Sequence, residues 1–163
     1  MGGSDHSDGG HGADRREHVA IHCEATSFDP GTARPVAVAA IRIRGFRILT
    51  GGALLLHPGG DIGVAEAGDR LHAFIGGRPL VGYYLDFSVA LAERLTGRPL
   101  PDERAEVSSL YYDRKIRSLS KQAVDLRLDS LIRDLDLPVR PGGAFGTALA
   151  AAMAWLRLTQ DGR

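Results

Sequence analysis

Between His18 and Pro58 the chain carries three apolar runs, HVAIHCEA, PVAVAAIRIRG and FRILTGGALLLHP, with only turn-forming stretches between them. Three such runs in succession read as an antiparallel meander, so the fold is organised around a sheet. The alternation Ile41, Arg42, Ile43, Arg44 sets apolar groups on one face of the second strand and guanidiniums on the other, which predicts a half-exposed strand. In the first strand, side chains two apart share a face, so His22 and Glu24 point one way and Cys23 the other. A His22–Glu24 hydrogen bond at the strand end is the ordinary expectation for that pair.

The rest of the chain alternates helical and short apolar segments. Leu71, Phe74 and Ile75 give a helix over 64–75 that Gly76 and Gly77 end. PLVGYY at 79–84 reads as a short strand, and Asp86 or Ser88 is placed to cap a helix running through Val89, Leu91, Ala92 and Leu95 to Gly97. VSSLYY reads as a further brief strand. Leu119, Val124, Leu128, Leu131 and Leu135 predict a long helix over 118–136, with Lys121–Asp125 and Asp129–Arg133 as i,i+4 pairs and Pro138 and Pro141 as its stop. FGTALAAAMAWLRL is apolar almost all round, which predicts a last helix packed inside the domain. The order is three strands, helix, strand, helix, strand, helix, helix: one α/β domain, without internal repeat, in which helices cover a mixed sheet.

At 163 residues the chain is long enough to bury such a core. Twenty basic residues balance twenty acidic ones, which weakens any claim that overall charge draws the protein to nucleic acid or to an anionic membrane. Cys23 is the only cysteine, so neither an internal disulfide nor a thiolate metal cluster forms, and it reads as a small core residue rather than a nucleophile. Residues 1–17 are rich in Gly, Ser, Asp and His and are expected to be a disordered tail, with the domain at 18–163. The absence of an apolar leader or spanning segment leads to the expectation of a cytoplasmic protein.

The element order, together with three local stretches, resembles the DnaQ-like 3′–5′ exonucleases, which have a ribonuclease H-like fold. In that family the first strand ends in an Asp-x-Glu-Thr-Thr-Gly-type motif, and here the frame is His22, Cys23, Glu24, Ala25, Thr26, Ser27, followed by Phe28, Asp29, Pro30. A second motif, Val-Gly-His-Asn-x-x-Phe-Asp, becomes Val81, Gly82, Tyr83, Tyr84, Leu85, Asp86, Phe87, Ser88. The third, His-x-Ala-x-x-Asp-Ala, becomes Gly142, Gly143, Ala144, Phe145, Gly146, Thr147, Ala148. A segment that family members carry between the third strand and the next helix is shortened to HPGGDIGVAEAGD.

The resemblance implies a two-ion phosphodiesterase chemistry in which carboxylates hold magnesium-type cations. At the positions it assigns to four carboxylates and a histidine, this chain has His22, Glu24, Ser88, Thr147 and Gly142, and Glu24 is the one original ligand. The expectation is a catalytically degenerate exonuclease-like domain with no cofactor, Glu24 and His22 being the sole candidates for a metal ion. Asp86, Asp29 and Asp113 are the carboxylates that would have to rebuild a site.

Three functions stay open: a noncatalytic interaction or scaffold domain binding a protein partner or itself; a single-stranded nucleic-acid-binding module using Thr26, Tyr83 and Tyr84; and an active exonuclease on single-stranded DNA or RNA with an altered site, which alone requires Mg²⁺ or Mn²⁺. Tyr111 and Tyr112 either stack on bases or pack helices against the sheet. Arg42, Arg44 and Arg47 read either as a basic strip for phosphates or as an exposed strand face. Charge balance, the missing ligands and the shortened loop favour the first function.

Overall fold

The apolar alternation of the first three segments produces the expected meander. In the computed structural model, which describes residues 16–118 and 123–160, β1 (Glu17–Ala25) pairs antiparallel with β2 (Pro35–Arg44), and β2 with β3 (Arg47–Leu56). The chain continues through α1 (Val64–Ile75), β4 (Leu80–Gly82), α2 (Leu85–Thr96), β5 (Arg104–Glu106), α3 (Val107–Arg117), α4 (Leu128–Asp134) and α5 (Gly143–Gln160). The sheet order is β3-β2-β1-β4-β5, with β4 parallel to β1 and β5 parallel to β4. Residues 1–15 of the expected tail lie outside the described residues; Arg16 pairs with Glu103, and Glu17 already belongs to β1.

Helices cover both faces. Val19, Ile21 and Cys23 of β1 and Val38 and Ala40 of β2 pack under α1 and α2, with Leu71 and Leu91 fully buried between. Ala20, Ile43 and Val81 face the other way, under α3, α4 and α5, while Ala37, Ala39 and Ile41 meet Ala144 and Ala148 near the start of α5. The alanines of α5 give it a thin contact face, which lets it lie close across β1 and β2.

Three expectations need correction. The second strand is not half exposed: Ile41 and Ile43 are buried under α5, and Arg42 is tucked beneath α1 with its guanidinium carbon 4.6 Å from the Phe74 ring centre. Arg44 and Arg47 reach out, and Glu17 holds Arg44 at 2.6 Å, so the three arginines do not line up as one free basic strip. VSSLYY is the start of a helix, because Val107 and Tyr111 fall one turn apart on a buried face and Glu106 accepts a hydrogen bond from the Ser108 amide at 3.0 Å. The strand there is the preceding tripeptide.

The long helix over 118–136 shrinks to seven residues, Leu128–Asp134. The Asp125 carboxylate accepts from the Arg127 amide at 3.0 Å and the Ser130 hydroxyl at 2.7 Å, a local turn that competes with the helix and delays its start to Leu128. Residues 119–122, including the Lys121 end of one expected ion pair, lie outside the described residues.

Candidate functional site

The cleft at the carboxyl end of β1 is built by the local rules of a strand running out of its sheet. His22 pairs with Ala39 and Glu24 with Ala37 in the β1–β2 register, and both alanines pack against α5, so the two side chains share the α5 face. Cys23 points the other way, into the α1–α2 core, where burial pushes its thiol pKa up to about 12 and keeps it protonated. Past the strand end, Thr26 closes the loop by exchanging bonds with Arg34: its amide donates to the Arg34 carbonyl, and its hydroxyl accepts from the Arg34 amide, both at 3.0 Å.

The loop after Thr26 is held firmly. Asp29 accepts from the Gly31 amide with its carboxylate and from the Ala33 amide with its carbonyl, at 2.9 and 2.8 Å. Arg94, reaching over from α2, donates to the Pro30 and Ala33 carbonyls at 2.9 and 2.6 Å. This loop carries Phe28, which is 95% exposed and lies 6.4 Å, centre to centre, from Phe87 of α2. With Tyr84 the two phenylalanines rim a cleft of about 840 Å³ whose floor is the end of β1.

Tyr84 occupies the left-handed region, with φ 52° and ψ 49°, which is strained for a residue with a side chain. Glu106 holds it there by accepting from the next amide, Leu85, at 2.8 Å with one oxygen, while its other oxygen caps α3. Neither Asp86 nor Ser88 caps α2, contrary to expectation. Glu106 does so from another strand, a tertiary contact that the local sequence does not signal.

The expected site residues are only partly brought together. His22, Glu24, Thr26 and Tyr84 line one cleft. Tyr83 is buried, and its hydroxyl donates to the Leu126 carbonyl at 2.6 Å, so it offers no face to a base. Tyr111 is likewise buried, donating to Asp134 at 2.7 Å. Ser88 is fully buried and spends its hydroxyl as acceptor for the Cys23 amide at 3.0 Å. Thr147 is buried on α5 beside Ala144 and Ala148. Gly142 stands just ahead of that helix at φ 154°, a conformation that disfavours a side chain. Asp86, Asp29 and Asp113 are exposed and line no part of the cleft.

His22 and Glu24 make no hydrogen bond to each other, since neighbours on one strand face lie almost two rises apart, over 6 Å. The His22 Nδ1 is enclosed without a partner. Burial lowers the His22 pKa, against the weaker pull of the Glu24 carboxylate and the Tyr83 carbonyl, so the ring is neutral at pH 7.

A five-stranded mixed sheet with helices on both faces and a cleft at the end of its first strand is the ribonuclease H-like exonuclease fold. Among solved structures the chain is similar to apo exonuclease I, with TM-score 0.67 at 14% identity over 90% of this chain and 42% of that one. It is similar also to E. coli exonuclease I in complex with a dA16 oligonucleotide, with TM-score 0.67 at 15% identity over 90% and 41%. A third match is the ExoI/SSB-Ct complex, with TM-score 0.68 at 13% identity over the same shares. The chain thus spans about two fifths of the length of these structures, and at this identity the likeness establishes the fold. No family model matches the sequence, and no curated protein is similar to it in sequence.

The exonuclease resemblance implies a pair of divalent cations held by several carboxylates, a donor set that the cleft does not supply among the described residues. Among the described residues no three His, Cys, Asp or Glu side chains come close enough to share an ion. Glu24 is the one carboxylate of the cleft.

Proposed function

We propose that the chain is a catalytically silent domain of exonuclease fold that works by binding, most simply as an interaction domain for a protein partner. The observation that carries this reading is the donor set at the strand end: Glu24 stands without a second carboxylate, and Ser88 spends its hydroxyl on the sheet backbone. Hydrolysis with two hard cations needs several oxygen ligands to hold the ions and offset their charge. Loss of a metal ligand or a general base lowers rates by orders of magnitude, and here several positions are changed together. The ExoI/SSB-Ct structure is a precedent for a protein of this fold in a complex with SSB-Ct, and the dA16 complex for one with an oligonucleotide.

The test is purified protein with Mg²⁺ or Mn²⁺ and end-labelled single-stranded DNA or RNA. The expected result is no product ladder. A metal-dependent ladder that disappears in Glu24→Ala would establish the active alternative instead.

A further inference from the structure

We propose that the cleft at the end of β1 is a docking groove for a partner polypeptide that presents an aromatic or aliphatic side chain next to a lysine or arginine. This rests on the noncatalytic reading above and names the chemistry of the partner. Three aromatic rings rim the cleft, and two of them are strongly exposed, Phe28 at 95% and Tyr84 at 62%. Such a grouping of exposed rings marks an interaction surface rather than scattered surface residues. Both rings stand on a fixed backbone: that of Phe28 is tied by the Asp29 and Arg94 bonds to its loop, that of Tyr84 is left-handed and secured by Glu106. Backbone strain of this kind persists where the surroundings impose it.

Charge selects among occupants. Among the described residues, the cleft lining holds one carboxylate, Glu24, and no lysine or arginine. Of the two arginines tied to the loop, Arg94 is engaged by the loop carbonyls, while Arg34, bound to Thr26 through its backbone, is exposed outside the cleft lining. A phosphodiester chain draws its affinity from cations, and this wall offers none. A cationic side chain finds both Glu24 and the faces of the rings, while its apolar neighbour fills the space between Phe28 and Phe87.

The test uses the full chain, labelled with ¹⁵N, and follows the amides of Thr26, Ser27, Phe28 and Phe87 against three probes: a blocked Gly-Phe-Arg-Gly peptide, its Gly-Phe-Glu-Gly counterpart, and single-stranded oligo-dT. The Phe-Arg peptide is expected to shift these amides with saturation in the millimolar range, and the Phe-Glu peptide to bind about threefold to fivefold more weakly, the range of one exposed ion pair. Glu24→Gln should equalise the two peptides, and Phe28→Ser, at a solvent-exposed position, should weaken both. Oligo-dT shifting the same amides as strongly as Phe-Arg, or neither peptide shifting them, would overturn the proposal. Shifts on dilution of the protein alone would assign the groove to a second copy and overturn the separate partner. The nuclease assay run on the same preparation separates the two readings, because cleavage would remove the noncatalytic reading whatever the peptides do.

Discussion

Ser88 shows how one side chain at a motif position can take a structural task. Its hydroxyl accepts from the Cys23 amide and its carbonyl from the Cys23 thiol, so it ties α2 to the end of β1 from inside the core. Ser88→Ala should leave a buried amide without an acceptor and destabilise the protein by about 1–3 kcal/mol in urea unfolding. A change below a few tenths of a kcal/mol would mean that the bond holds nothing. The two strand histidines make a second prediction. Burial lowers the pKa of both His18 and His22 from the ordinary 6.5, so the unfolded chain takes up protons at a higher pH than the folded one. Stability is therefore fully present above about 6.5 and is lost as pH falls through that value toward the folded pKa values. Urea midpoints should drop across that window, and less steeply in His18→Gln. Trp155, the sole tryptophan, lies 4.4 Å from the His18 ring and reports the protonation directly by fluorescence.

At the scale of elements, what was legible in the sequence is what local pattern controls. The α1 boundaries could be read because its apolar spacing ends in two glycines of positive φ, at 53° and 78°. The meander followed from the strand alternation. The short α4 and the helical VSSLYY could not be read from periodicity, since the first is decided by the Asp125 turn and the second by the Glu106 cap. Glu106 at the start of α2 was likewise hidden, as it arrives from 21 residues away in sequence. The packing of α1 on α2 depends on another feature without a sequence period. A Cβ at Gly68 would overlap the Leu95 carbonyl oxygen and come within 3.1 Å of its carbon, both backbone atoms that cannot swing aside. Gly68→Ala should therefore cost about 1–3 kcal/mol by forcing the helices apart, despite the better helix propensity of alanine. A stabilised Gly68→Ala protein would show that the two helices move without penalty.

For the whole molecule, the candidate site divides into a backbone frame and the side chains placed on it. The motif frames around Glu24, Ser88 and Thr147 were visible in the sequence, yet what Ser88 does with its hydroxyl, and the aromatic rim of the cleft, needed three dimensions. The proposed function treats the frame as kept and the donors as changed, and ion-linked stability separates the two. His22 and Glu24 share the α5 face, and Thr147 lies on α5 itself, so His22→Asp together with Thr147→Asp brings three carboxylates toward one region. Gly142 is left unchanged because its φ of 154° disfavours a side chain, and Ser88 because it holds the Cys23 amide. Without divalent cations the double variant should be less stable than the parent, since like charges are added at half-buried and buried positions. With Mg²⁺ or Mn²⁺ at about 100 times its dissociation constant it should regain about 2.7 kcal/mol, roughly 5–10 °C in thermal midpoint for a domain of this size. The parent midpoint should not respond to either ion in the same scan. A parent that rises with the variant would place a metal site on the native side chains and return the chain to the enzymes of its fold.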